Sequence, residues 1–348
     1  MVTRTVAGRT YDFSHAMGRG GVGAGFNSGN ALAFSSDNLV YVLSRGGEAI
    51  TAVPWDRTAR GARVTKFDVG LQSGEEEFIK EFGQNGSERG QLIWPTGLAL
   101  DSQDNIYVSD EWMNRVNVYD TEGNLLRDWG TVGTGDGEFD GPSGLAMDAD
   151  DNLYVVDSRN HRVQKFSSDG RFLSRFGGPG DGEGQFNTPW GITLDQDGYI
   201  YVVDTNNHRV QKLTAQGEFV AQFGSQGEGR GELNHPSDVT VDPDGDVYVC
   251  DWGNDRVQAY DASGKFFTSF IGDAQQLTTW SRMIVQTNPE AMKRRREVKD
   301  FRAEWRLRMP RAVAFDVPNN RLLILDTQRS RIQIYKKLGG YVTPARNL

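Results

Sequence analysis

The chain has little of what several protein classes need. Cys250 is its single cysteine, so no intrachain disulfide can form. It also has no run of about 18 apolar residues, which a membrane-spanning helix requires. The residues after Met1 are polar or small and lack the apolar core of a signal peptide. We therefore expect a cytoplasmic protein that does not enter a membrane.

Basic charge and histidine are also scarce. The 38 Lys and Arg residues are outnumbered by 47 Asp and Glu, which gives a net charge of −9. Nucleic acids and anionic membranes attract basic surfaces, so we expect neither as a partner. The four histidines of the chain leave little material for a histidine-rich zinc site.

What the sequence does contain is a 47-residue unit that occurs four times in succession, with a fifth copy after a longer gap. The repeated positions are Pro95, Pro142, Pro189 and Pro236; Asp110, Asp157, Asp204 and Asp251; and Arg115, Arg162, Arg209 and Arg256. The fifth copy contains Pro310, Asp326 and Arg331. A period in the 40s that includes several short strands is typical of propellers and solenoids.

One repeat contains four predicted strands. In the copy at 142–177, short apolar or alternating segments at 142–148, 153–157, 162–166 and 171–176 are separated by turn residues. One four-stranded sheet cannot bury both of its faces, whereas sheets stacked around an axis can. The repeat therefore predicts an all-β fold, a β-propeller.

The copies predict six blades in a single domain spanning 1–348. Their expected ranges are 26–83, 95–130, 142–177, 189–224, 236–272 and 310–335. The last copy lacks a fourth strand. Residues 10–18 have the alternation and the terminal glycine of a fourth strand. We therefore expect this N-terminal strand to complete the last blade, which closes the ring and removes its open edges. Insertions are predicted at 45–62 and 273–309.

The second insertion is predicted to be helical. Asn288 is a suitable N-cap and Pro289 suits the first helical position of a helix that reaches Trp305. Its apolar residues fall on one face: Val298, Phe301 and Trp305. The basic run at 293–296 is either a solvated face or a patch for an acidic partner.

The repeat motif resembles the NHL repeat. It reads Pro-x-Gly-[Leu/Ile]-x-x-Asp, Tyr-Val-x-Asp, Asn-x-Arg-Val and Phe-Gly, and it is clearest at 160–166 and 207–213. The resemblance extends over nearly the whole chain and implies a six-bladed propeller. Relatives of this kind include RNA-binding and protein-interaction modules and, more distantly, the peptidyl-hydroxyglycine amidating lyase, lactonases and strictosidine-synthase-like enzymes. One fold supports many functions, so the resemblance leaves the activity open.

The repeated Asp and Arg are five residues apart. We expect them to form an ion pair between the second and third strands of the blade in each of the five copies. A feature that recurs in every unit is usually structural. Ser44 takes the Asp position in blade 1, so that blade should lack the pair.

Residues that break the repeat are better candidates for specificity. In such propellers, the residue after Pro and the residue after the repeat Asp should ring the mouth of the central channel. The first ring is Asn30, Thr96, Ser143, Trp190, Ser237 and Arg311, and the second is Arg45, Glu111, Ser158, Thr205, Trp252 and Thr327. We predict a ligand site formed by Asn30, Arg45, Glu111, Trp190, Trp252 and Arg311. The arginines suit a carboxylate or phosphate, and the tryptophans either stack on a ligand or pack beneath the insertions.

Two functions stay open. One is binding of a small molecule, peptide or protein at a channel mouth covered by both insertions. The other is a lyase or hydrolase reaction in a pocket under the helical insertion. The resemblance implies zinc-binding histidines directly after Pro in the amidating lyase, and this chain has none there. It implies channel calcium in lactonase-like propellers, for which Asn30 and Glu111 are candidate ligands. No cofactor is predicted, and a channel metal, calcium or zinc, stays an alternative.

Overall fold

The computed structural model describes residues 3–18, 26, 28–45 and 61–339. Within these ranges, six antiparallel sheets form the six-bladed β-propeller that the repeat predicts. Six buried apolar clusters lie between neighbouring blades, one at each interface around the ring. The core is therefore distributed around the channel, and each blade depends on both neighbours for burial.

Strands a to d of each blade run outward from the channel. Blade 1 contains β3–β6: Gly29–Phe34, Val40–Ser44, Arg63–Asp68 and Glu77–Phe82. Blade 2 contains β7–β10: Pro95–Leu100, Ile106–Asp110, Arg115–Tyr119 and Leu125–Trp129. Blade 3 contains β11–β14: Pro142–Met147, Leu153–Asp157, Arg162–Phe166 and Phe172–Gly177. Blade 4 contains β15–β18: Ile192–Leu194, Ile200–Asp204, Arg209–Leu213 and Phe219–Phe223. Blade 5 contains β19–β22: Asp238–Val241, Val247–Asp251, Arg256–Tyr260 and Phe266–Phe270.

Blade 6 joins the two ends of the chain. It contains β23–β25, at Pro310–Asp316, Arg321–Asp326 and Arg331–Leu338, together with β2 (Arg9–Met17) and β1 (Thr3–Val6). Strand β2 pairs with β25 in antiparallel register, from Thr10 opposite Leu338 to Met17 opposite Ile332. The predicted closure by an N-terminal strand is therefore confirmed. Strand β1 adds a fifth, outermost strand that the sequence did not predict.

The insertion before blade 6 is helical, as predicted, but its helices differ from the expected one. They are α1 (Thr279–Thr287), α2 (Pro289–Glu297) and α3 (Arg302–Trp305). The side chain of Asn288 caps α2 by accepting from two backbone N–H groups. The prediction of one helix up to Trp305 is wrong, because Val298 is extended and α2 ends at Glu297. No helix within the described ranges has the length and apolarity needed to span a membrane.

The repeated ion pair forms in four of the five expected copies. These are Asp157–Arg162, Asp204–Arg209, Asp251–Arg256 and Asp326–Arg331. The fifth expectation is wrong: Arg115 donates to the backbone carbonyls of Glu88 and Gln91, while Asp110 accepts from backbone N–H groups. In the blades that form the ion pair, the glutamine two residues after the repeated Arg supports it. In blade 2 this position holds Asn117, whose side chain is one methylene shorter and has no hydrogen-bond partner.

Candidate ligand site at the channel mouth

The turn before each repeat proline positions the mouth. Thr188 and His235 both adopt a left-handed backbone there, with φ of 51° and 48°. The backbone N–H of Thr188 donates to Nδ1 of His161 at 3.0 Å, and that of His235 donates to Nδ1 of His208 at 3.1 Å. His161 and His208 therefore hold the turn of the following blade, which agrees with the structural role that their repeated position suggests.

Five of the six small hydroxyl residues of the two rings join neighbouring blades. They donate to backbone carbonyls of the next blade: Thr96 to Pro142, Ser143 to Trp190, Thr205 to Pro236, Ser237 to Pro310 and Thr327 to Gly29. The sixth, Ser158, is buried and its hydroxyl has no hydrogen-bond partner among the described residues. The five bonded side chains are occupied in holding the ring together. The larger ring residues are therefore the ones available to line the mouth.

The mouth encloses a cavity of about 280 Å³. Its lining includes five predicted residues: Arg45, Glu111, Trp190, Trp252 and Arg311. It also includes Trp94 and His235, which sequence reasoning missed, although both break the repeat at the position before Pro. Asn30 lines the channel directly below, and Trp190 and Arg311 line both spaces. The structure thus brings five of the six predicted residues to the mouth cavity, and the sixth, Asn30, lies in the channel and contacts Arg311.

Ion pairs organise one side of the mouth. The Glu111 carboxylate accepts from Arg45 at 2.7 Å and from Arg159 at 2.6 Å. The Arg45 guanidinium also lies 5.5 Å from the ring centroid of Trp94, within cation–π range. Arg311 donates to Oδ1 of Asn30 at 2.9 Å. Arg159 also pairs with Asp140 at 3.2 Å, so its charge is balanced. Two arginines, Arg45 and Arg311, line the cavity with one carboxylate, Glu111, which leaves a small local excess of positive charge in an acidic chain.

Tryptophans form the apolar part of the mouth. Trp94 makes an edge-to-face contact with Trp112, with ring centroids 5.3 Å apart. Trp190 and Trp252, on neighbouring blades 4 and 5, line the same cavity. The buried indole N–H of Trp252 has no hydrogen-bond partner among the described residues. A ligand in the cavity would therefore meet indole faces, whereas this buried N–H is not accessible to it.

Below the mouth, the channel forms a cavity of about 390 Å³ lined by the inner strands. Asp238 projects into it and was not among the predicted site residues. Its position in the repeat holds glycine in blades 2 to 4: Gly97, Gly144 and Gly191. This departure from the repeat was visible in the sequence. Burial raises the pKa of Asp238 to about 7, because protein surrounds the carboxyl even though the channel gives it some access to water.

The two candidate metal ligands do not fit a calcium site. Oδ1 of Asn30 accepts from Arg311, and the oxygens of Glu111 are held by two arginines. Calcium needs six to eight oxygen ligands, and cations at this distance oppose a second one. Within the described ranges, no three His, Cys, Asp or Glu side chains are grouped to hold a metal.

The second insertion does not cover the mouth. No residue of 273–309 lines the mouth cavity. Instead, Trp280 packs against Phe67 on an outer strand of blade 1, with ring centroids 5.8 Å apart, and Thr278 donates to the carbonyl of Gly18. The expected roof over the cavity is therefore wrong for this insertion: its first helix lies at the outer rim, and its last residues contact Asp255 and Arg329 in turns of blades 5 and 6. Residues 46–60 of the first insertion lie outside the described residues.

A third cavity, of about 250 Å³, lies at this rim beside the start of the insertion. It contains Ser14, whose Oγ lies 2.9 Å from Nδ1 of His15, while Nε2 of His15 lies 2.8 Å from the carbonyl oxygen of Val69. Burial lowers the pKa of His15, so its imidazole is neutral. Asp273 at the same cavity is paired with Arg4 and does not orient the histidine. The alternative of an enzyme under the insertion gains a Ser–His pair here, without the acidic third member of a triad.

Comparison with known proteins identifies the repeat. The NHL repeat model matches residues 92–119, 139–166, 186–213 and 233–260, which are blades 2 to 5 without their outer strands. The chain thus contains four NHL repeats, as the motif indicated, within its six-bladed propeller. No curated protein matches it.

Solved structures share the fold at low sequence identity. A catalytically inactive virginiamycin B lyase from Staphylococcus aureus, determined with quinupristin, is 14% identical, with a TM-score of 0.55 over 91% of this chain and 82% of that one. A gluconolactonase from Xanthomonas campestris is 13% identical, with a TM-score of 0.58 over 95% and 91%. A protein of unknown function from Bacteroides thetaiotaomicron is 17% identical, with a TM-score of 0.57 over 95% and 76%. These similarities establish the fold and leave the activity open.

Proposed function

We propose that this NHL propeller is a binding module whose channel mouth holds an aromatic group that carries a negative charge. That group would belong to a small molecule or to a side chain or terminus of a peptide or protein. The observation that carries the proposal is the convergence of Trp94, Trp190 and Trp252 with Arg45 and Arg311 around one cavity. Structural repeats do not require these residues, since each occurs in only one blade at its position.

The chemistry of the mouth favours such a ligand. Indole faces bury planar apolar groups and contribute beyond the buried area. Guanidinium groups bind carboxylates and phosphates with paired hydrogen bonds. The mouth cavity is lined by two arginines and one glutamate in a chain with a net charge of −9, so it is locally more positive than the chain as a whole.

Binding is favoured over catalysis by the described residues that line the mouth cavity. Glu111 is held by Arg45 and Arg159, and the hydroxyls of Thr205 and Ser237 donate to backbone carbonyls. His235, with Nδ1 2.7 Å from Oδ1 of Asn234, is left as a candidate general base, but these lining residues offer no free nucleophile beside it. The arrangement suits a site that holds a ligand without transforming it.

The test uses phenylacetate and its neutral counterpart phenylacetamide, measured by ligand-observed NMR and calorimetry. Phenylacetate should bind the wild-type protein more tightly than phenylacetamide. Arg311→Ala and Trp252→Ala should each weaken phenylacetate binding by at least about tenfold, since each removes a direct contact worth roughly 1–2 kcal/mol. The melting temperature should stay nearly unchanged, because neither residue belongs to an apolar cluster between blades.

Arg171→Ala is the matched control, because Arg171 is an exposed arginine in the turn between the outer strands of blade 3. It should leave phenylacetate affinity intact. Equal binding of the two probes, or unchanged affinity in both mouth variants, would rule out the proposed site.

A further inference from the structure

Asp238 places a carboxylate where the ring has no room for most side chains. At the equivalent position of blade 4, a Cβ added to Gly191 would lie 2.7 Å from Cα of Asp238 and 2.8 Å from its Oδ1. Such contacts exclude a side chain at the position of Gly191. Among blades 2 to 5, only blade 5 has a side chain at the equivalent position, and this side chain, that of Asp238, lines the channel cavity.

The carboxyl has no cationic partner. Its Oδ2 accepts the backbone N–H of Val313 at 2.9 Å, and no Lys, Arg or His of the described ranges forms an ion pair with it. Arg311 is the one other charged residue that lines the channel cavity, and it donates to Asn30 on blade 1, away from blade 5. Cys250 lies opposite Asp238 in the sheet, and burial raises the pKa of this thiol well above its usual value, so it adds no charge.

We propose that the channel binds a primary amine, whose ammonium group pairs with Asp238. A carboxylate held away from bulk water is costly when unpaired, so a cation of matching size gains from pairing with it. The exposed lining of the cavity is mostly polar, and Leu32, Leu98, Leu145 and Ile192 from four successive blades add smaller apolar areas. A cavity of about 390 Å³ is large enough for a small aromatic amine. The site goes beyond the proposed mouth site, although Trp190 and Arg311 line both cavities.

The amine should bind more tightly as the pH rises through neutrality. Because burial raises the pKa of Asp238 to about 7, the carboxyl is partly protonated near neutral pH. An alkylammonium keeps its proton to about pH 10, as lysine does, so the change in charge belongs to the protein. Of the groups that face Asp238, Cys250 stays neutral and Arg311 stays charged over this range.

The test compares phenethylamine with 2-phenylethanol, which has the same shape without the charge, by calorimetry. At about pH 8.5, wild type should bind the amine at least about tenfold more tightly than the alcohol, since one buried charge pair separates them. Asp238→Asn should remove this preference and leave the affinity for the alcohol unchanged. The affinity of wild type for the amine should fall at about pH 5.5, where the carboxyl is protonated.

Asp181→Asn is the control, because it removes one exposed carboxylate from a loop and changes the net charge equally. Asp238→Gly restores the residue of the other blades and should behave like Asp238→Asn, which separates loss of charge from loss of fold. No preference for the amine in wild type, or an intact preference in both Asp238 variants, would overturn the proposal. Failure of phenylacetate binding alone would count against the mouth site and not against this one.

Discussion

At the residue scale, the repeat separates side chains that hold the ring from side chains that are free to bind. His161 and His208 accept backbone N–H groups, and the ring hydroxyls donate to carbonyls of the next blade. The two histidines recur in one phase and were recognisable as structural, whereas the ring hydroxyls stand at positions that vary between blades and their structural role was not predicted. The residues predicted for the ligand site were chosen because they depart from the repeat. Asp238 departs from it equally, yet it was missed because only the positions after Pro and after the repeat Asp were compared.

The repeat ion pair should contribute unequally to stability in different blades. In blade 3 the side chains of Arg162 and Asp157 are 8% and 0% exposed, and their N–O distance is 2.8 Å. Arg162→Met would strand a buried carboxylate and should lower the free energy of unfolding by about 3 kcal/mol. Arg115→Met in blade 2, where no pair forms, should cost about 1 kcal/mol for lost hydrogen bonds. Urea unfolding of both variants measures the difference, and equal costs would contradict it.

Asp238 should also make stability depend on pH. Its pKa is about 7 in the folded protein, against about 4 in an unfolded chain. Between these values the folded state keeps a proton that the unfolded state releases, so the free energy of unfolding falls as the pH rises. Asp238→Asn should therefore stabilise the protein by roughly 1–3 kcal/mol at about pH 8 and by much less at about pH 4.5. A gain that is the same at both pH values would show that this carboxyl is not responsible.

At the element scale, the closing strand β2 and the helical insertion depart most from the repeat. Strand β2 was predictable because its alternation and terminal glycine have the phase of the missing fourth strand. The bounds of the helices were not, since α2 ends at Glu297 without a glycine or proline to mark the end. The position of the insertion was also hidden, because Trp280 meets Phe67 through a contact between distant parts of the chain.

Removal of the N-terminal strands should destabilise the ring in two steps. Strand β1 contributes one outer ladder and the Arg4–Asp273 ion pair, whereas β2 supplies the fourth strand of blade 6 and buries Tyr11 and Met17. Deletion of residues 1–6 should lower the melting temperature by a few degrees. Deletion of residues 1–18 should lower it by more than about 10 °C, since several kcal/mol of packing is lost. Scanning calorimetry compares them, and equal melting of the longer deletion and wild type would show that closure does not depend on β2.

At the scale of the whole molecule, the fold was predictable because one period recurs with the same phase. Each sheet hides its faces against its neighbours, so the repeat implies a closed ring of six. The mouth site was predictable only in outline. The position of a residue within the repeat places it on a ring around the channel, but it does not show which side chains of the ring contact one another. The Arg45–Glu111–Arg159 group joins three blades, and the missing pair of Arg115 occurs in the one blade where Asn117 stands in the place of the repeated glutamine. Such details depend on atomic distances that no period encodes.

The pairing of β2 with β25 orders events on the ribosome. Residues 9–17 are synthesised early, but their partner, residues 331–338, comes more than 300 residues later. Until then the early strand has no edge to join, and blades 1 to 5 form an arc with two unsatisfied ends. Nascent chains arrested before residue 331 should therefore be sensitive to proteases and to chaperone capture at the two open ends of this arc, while the clusters between blades 1 to 5 are already formed. Protection of the ends should come with the emergence of the final blade.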